Sequence, residues 1–78
     1  MTENLVSGLA AQIERVSNKV ERWKGYAKEM PPQSATGMNF TIQIMEAELQ
    51  QARDALRSGD ILEMMPAYQT LKDYSDAD

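Results

Sequence analysis

The sequence predicts an all-α fold: an antiparallel two-helix hairpin with a short third helix, assembling as a helical oligomer. Two long stretches repeat apolar residues at alternating spacings of three and four, the pattern of a helical seam. A double proline, Pro31-Pro32, separates them, and Gly59-Asp60 marks a second corner before a shorter periodic run. The 78 residues read as one domain, 1–78. A chain this short buries only about 60–65% of the surface it exposes when unfolded, so self-association or partner binding is expected to supply missing contacts.

Helix one is expected over residues 3–30. Its seam is Val6, Leu9, Ile13, Val16, Val20, Trp23, Ala27 and Met30, with β-branched residues at positions that favour pairwise packing. Glu14, Arg15, Asn18, Glu21, Arg22, Lys28 and Glu29 form its solvated face, and Thr2 is the expected N-cap. Pro31 ends the helix because it disfavours helical geometry in the residue before it. Residues 31–37, Pro31-Pro32-Gln33-Ser34-Ala35-Thr36-Gly37, then read as a turn in which Ser34 or Thr36 caps the next helix.

Helix two is expected over 38–58, with Met38, Ile42, Met45, Leu49, Ala52 and Leu56 as its seam. Arg57 places a cation in its last turn, and Gly59 stands where a left-handed residue is wanted. Asp60 caps helix three, expected over 61–74, with Glu63 three places on in a capping-box variant. The apolar residues of this helix are Ile61, Met64, Met65, Tyr68 and Leu71. Pro66 lies too deep to be a first-turn residue, so the helix is expected to kink there or to restart on it. The tail, 75–78, is expected to be disordered.

With these bounds helix one spans about 42 Å and helix two about 31 Å, which leaves the N-terminal turns of helix one to be covered by helix three or by a second chain. Helix two also carries a surplus apolar row, Phe40, Ile44 and Ala47, outside its seam. Either helix three buries that row in a three-helix bundle, or Phe40 and Ile44, with Met64 and Met65, form an interface. The methionines suit both roles, as gap-fillers of a core or as adaptable contact surface.

Composition narrows the function. Cysteine and histidine are absent, which removes thiol nucleophiles, thiolate metal sites, the usual general base and the commonest transition-metal ligand. The carboxylates are scattered and make neither a facing acid–base pair nor an oxygen-ligand loop. A non-enzyme with no catalytic residue, metal site or cofactor is expected. A formal charge of −4 argues against general nucleic-acid binding. No apolar run reaches the roughly 18 residues that span a bilayer, and Met1-Thr2-Glu3-Asn4 lacks the cationic start of a signal peptide, so a cytoplasmic protein without membrane attachment is expected.

One region gathers ligand-binding chemistry. Trp23 and Tyr26 offer rings for stacking a base, and Lys24 and Lys28 offer cations for phosphate. Ser34, Thr36 and Gly37 follow at the start of helix two, where free backbone N–H groups and hydroxyls favour an anion and glycine permits close approach. The alternative is structural: Ser34 and Thr36 only cap the helix, Trp23 fills the seam and the lysines are solvated.

The order of a basic-aromatic helix end, Pro31-Pro32-Gln33-Ser34, and a long helix containing Glu46-Ala47-Glu48-Leu49 covers about Val20 to Gly59. It resembles the helical-hairpin phage anti-defence proteins that act as sponges against CBASS and Thoeris immunity. The resemblance implies a small homo-oligomer in the host cytoplasm that sequesters a cyclic-nucleotide signal in pockets between subunits without cleaving it. It would set Tyr26 against a base, Lys24 or Lys28 on phosphate, and Ser34 or Thr36 at the pocket edge. The chain departs from that pattern in having no basic residue in helix two before Arg53, which thins the phosphate contacts. The alternative function is a small acidic protein that blocks a host protein complex, with Phe40, Ile44, Met64 and Met65 as anchors.

Overall fold

The computed structural model describes residues 4–75. They form three helices, α1 (Leu5–Glu29), α2 (Pro32–Ser58) and α3 (Ile61–Lys72), with no strand among the described residues. Asn4 caps α1, its side-chain oxygen accepting from the Ser7 N–H at 2.8 Å. The expected cap, Thr2, lies outside the described residues. α1 stops at Glu29 because Met30, held before proline, takes extended backbone angles of φ −89° and ψ 152°.

The expected turn over 31–37 is overturned: α2 begins at Pro32, and the break is confined to Met30 and Pro31. The reason is the asymmetry of proline. A proline at the first helical position forfeits an N–H that has no intrahelical acceptor there, and its fixed φ already suits a helix. Pro31 supplies the extended cap position without a side-chain hydrogen bond, and the Ala35 N–H donates to the Pro31 carbonyl at 2.9 Å. Neither Ser34 nor Thr36 is a cap. Thr36 instead donates its hydroxyl back to the Pro32 carbonyl at 3.0 Å, inside the first turns of the helix.

This earlier start also removes the length mismatch. With 25 residues in α1 and 27 in α2, the two run about 38 Å and about 40 Å. Arg53 donates to the Ser17 hydroxyl at 2.8 Å, and Lys24 meets Glu46 at 2.8 Å. Paired positions therefore fall along α2 as they rise along α1, from 17 to 24 on one helix and from 53 to 46 on the other.

α2 closes on Gly59, at φ 72°, whose N–H donates to the Ala55 carbonyl. Asp60 caps α3 by accepting from the Leu62 N–H at 2.9 Å. The Asp60 N–H donates to the Ser58 hydroxyl, at 3.2 Å, the place a capping box reserves for Glu63. α3 runs through Pro66 as one assigned helix, without restarting there, and ends at Lys72, two residues short of the expected limit.

The core joins Leu9, Val16, Val20 and Ala27 of α1, Ile42, Met45, Leu49, Ala52 and Ala55 of α2, and Met64 and Leu71 of α3. Both seams therefore face inward, except at the two ends of the first, where Val6 is exposed and Met30 stands outside the core cluster. Met64 is 1% exposed, so its place in an interface is corrected: it is a core residue, while its neighbour Met65 is exposed. α3 packs Met64 and Leu71 against the other two helices and leaves the row on α2 uncovered, which overturns the three-helix burial of Phe40 and Ile44. The C-terminal end of α3 is tied down by α1, through Arg15 to the Leu71 carbonyl at 2.7 Å and Lys19 to the Ser75 carbonyl at 2.5 Å. Of the tail expected to be disordered, Ser75 is held in this way and residues 76–78 lie outside the described residues.

Candidate functional site

Helical geometry decides which of the candidate ligand residues can meet. At about 100° per residue, Lys24 and Lys28 lie within about 40° of each other on α1, while Tyr26 lies about 160° from both. Tyr26 is exposed on the far side of the helix from the two lysines. Trp23 turns inward and packs against the core. Its Nε1 is buried without a hydrogen-bond partner, and the Lys19 ammonium sits 5.2 Å from its ring centroid. That arrangement makes Trp23 a packing residue with a cation on its face.

Lys24 and Lys28 line a shallow recess of about 410 Å³ with Glu21, Gly25, Ala27 and Asn39. The charge of Lys24 is already partnered, 2.8 Å from Glu46 and 3.4 Å from Glu21. The hydrogen bond to Glu46, opposed by partial desolvation and helped by the charges of Glu21 and Glu46, holds the Lys24 ammonium above its ordinary pKa. Lys28 is exposed. Ser34, Thr36 and Gly37 occupy the opening turns of α2, and none of them lines the recess. Of the seven candidates, the structure brings together only Lys24 and Lys28 in one place.

Sequence reasoning missed Glu46 and Asn39, which face that recess from α2 or neutralise its lysine. Both become visible only once the two helices are set in register, because neither belongs to a local motif. Among the interface candidates, Phe40 is 65% and Ile44 is 45% exposed, and Met65 is exposed on α3. Phe40, Ile44 and Ala47 succeed one another at four and three residues, so they share the side of α2 that faces away from Ile42, Met45 and Leu49.

Among the described residues no group of three or more His, Cys, Asp or Glu could hold a metal ion, and no helix is long and apolar enough to cross a membrane. No protein-family model, curated protein or solved structure matches the chain.

Proposed function

We propose that this chain is a non-catalytic binding protein: an antiparallel helical hairpin, braced by α3, whose copies associate across the outer face of α2. The observation that carries this reading is the uncovered row of Phe40 and Ile44, an aromatic and an aliphatic anchor held on a rigid helix. The same face suits a second copy electrostatically. From Met30 to Met45 the chain has no Asp, Glu, Lys or Arg. In a two-fold contact, groups on or near the axis face their own copies, so in a chain of net charge −4 an uncharged face avoids like-charge repulsion there.

Measurement of the solution mass tests the proposal. The expected outcome is a homo-oligomer that Phe40→Asp converts to a monomer with unchanged helix content. A monomeric parent chain at high micromolar concentration overturns it and leaves the host-protein inhibitor as the reading of this face. In that event Phe40→Asp should abolish capture of the host protein while the fold persists.

A second reading, sequestration of a cyclic nucleotide as in the phage sponges, is favoured by the recess that holds Lys24, Lys28 and Asn39. In it the lysines meet phosphate, and an exposed Tyr26 stacks on a base from a neighbouring subunit, since it cannot reach the lysines of its own helix. Thermal unfolding with cyclic di- and trinucleotides tests it. A ligand present at a hundredfold over its Kd adds roughly 2.7 kcal/mol of stability, so an unmoved Tm with every one of them removes this reading.

A further inference from the structure

We infer that the groove between α2 and α3 is a docking site for a basic amphipathic helix of another protein. The groove encloses about 510 Å³. Its apolar part is built by Leu62, Pro66 and Ala67, and Leu62 is 83% exposed, the most open large apolar side chain of the described residues. A leucine in that position, at the start of a short helix and facing a groove, offers an unfilled apolar contact.

The rim is acidic. Glu48, Asp54 and Glu63 line the groove, and no Lys or Arg does. Glu48 accepts from Tyr74, and Asp54 lies 3.5 Å from Arg57, but Glu63 makes no ion pair among the described residues.

Apolar contacts flanked by carboxylates complement a helix with one apolar stripe and Lys or Arg beside it. Other occupants fit worse. Phosphates are repelled by the rim. The carboxylates are too dispersed to gather a metal ion. A second copy of this chain, at −4, brings more negative than positive charge to a negative groove. Phe40, Ile44 and Ala47 do not line the groove, which begins one turn beyond Ile44 at Glu48, so this inference does not rest on self-association.

The test is titration of the full chain with a helical peptide carrying leucine at alternating spacings of three and four between flanking lysines, and with its counterpart bearing glutamate for every lysine. Amide chemical shifts report the location. The lysine peptide is expected to bind and to move the resonances of Leu62 and Ala67, and the glutamate peptide to leave them unmoved. Leu62→Ser, at an exposed site, should weaken binding at least about tenfold, and Glu63→Gln by about a few-fold. Circular dichroism of both variants checks that the helices persist. Phe40→Asp should bind the peptide as the parent does, which separates this groove from the self-association face. Absence of binding, equal binding of the two peptides, or full affinity in Leu62→Ser each overturns the inference. So does binding lost in Phe40→Asp, which would move the contact to the outer face of α2.

Discussion

The ammonium group of Lys19 donates a 2.5 Å hydrogen bond to the carbonyl of Ser75, 56 residues away in the chain. One turn earlier on α1, Arg15 donates to the Leu71 carbonyl at 2.7 Å. Leu71 lies in the last turn of α3, where the dipole presents its negative end, and Ser75 lies three residues beyond the helix, so Arg15 meets the helix end and Lys19 pins the segment that follows it to α1. Lys19 is 5% exposed and continues the ladder by lying over the Trp23 ring, one further turn along. Lys19→Met keeps much of the packing and removes the charged donor. It should cost about 1–2 kcal/mol, read from chemical denaturation, and alter Trp23 fluorescence. Arg15→Leu should cost a similar amount, and the double variant less than the sum, because both donors hold the same C-terminal segment against α1. Strict additivity would show that the two contacts act separately.

Tyr74 donates its hydroxyl to Glu48 and ties the same end of the chain to α2. Burial, then the hydrogen bond to Glu48, then the negative charge of Glu48 hold the Tyr74 phenol well above its ordinary pKa of 10.0. A pKa raised in the folded state contributes stability that is complete below the unfolded value and is lost as the pH rises toward the folded one. Stability should therefore be flat in this contribution up to about pH 10 and fall above it. The raised Lys24 pKa acts with the same sign, starting from 10.5. Tyr74→Phe should cost about 1 kcal/mol at neutral pH and remove part of the alkaline decline. An unchanged alkaline slope in Tyr74→Phe would assign the whole decline to other groups.

How far the sequence discloses this structure depends on how local each signal is. Leu9, Val16 and Val20, and Ile42, Met45 and Leu49, are buried as their periodicity requires, and Gly59 takes the left-handed conformation that ends α2. Pro32 misleads because the same residue that stops one helix is well suited to begin another, and residue type alone does not say which. Lys19 flanks the seam between Val16 and Trp23, and its partner lies at the other end of the chain, so nothing nearby marks it as buried. For the candidate site, Trp23 through Lys28 could be read as one cluster along the chain, yet a helix distributes neighbours around its axis and sets Tyr26 away from Lys24 and Lys28. The counter-charge on Lys24 comes from Glu46 across the seam, a relation that only the register of two helices reveals.

Met64 and Met65 give the sharpest contrast between adjacent residues. Met64 is buried with Leu71 in the core, and Met65 is exposed. Met64→Ala should cost about 2–5 kcal/mol and, in a domain this small, lower the Tm by well over ten degrees. Met65→Ala should change stability by less than about 0.5 kcal/mol. A large loss in Met65→Ala measured at concentrations where the chain self-associates, and absent on dilution, would place Met65 in the contact between copies.

Gly59 isolates a backbone effect from a packing effect. Its φ of 72° lies where a Cβ crowds the following carbonyl, and a Cβ built there would meet no other atom within 4 Å. Gly59→Ala should therefore destabilise by about 1–2 kcal/mol through backbone conformation alone. Gly59→Asn should cost less, because asparagine enters this region more readily. Thermal unfolding of the two variants should rank them parent, Asn, Ala. Equal stability of Gly59→Ala and the parent would mean that the corner between α2 and α3 relaxes out of the left-handed conformation at no cost, and that the Gly59 N–H bond to Ala55 is dispensable for positioning α3.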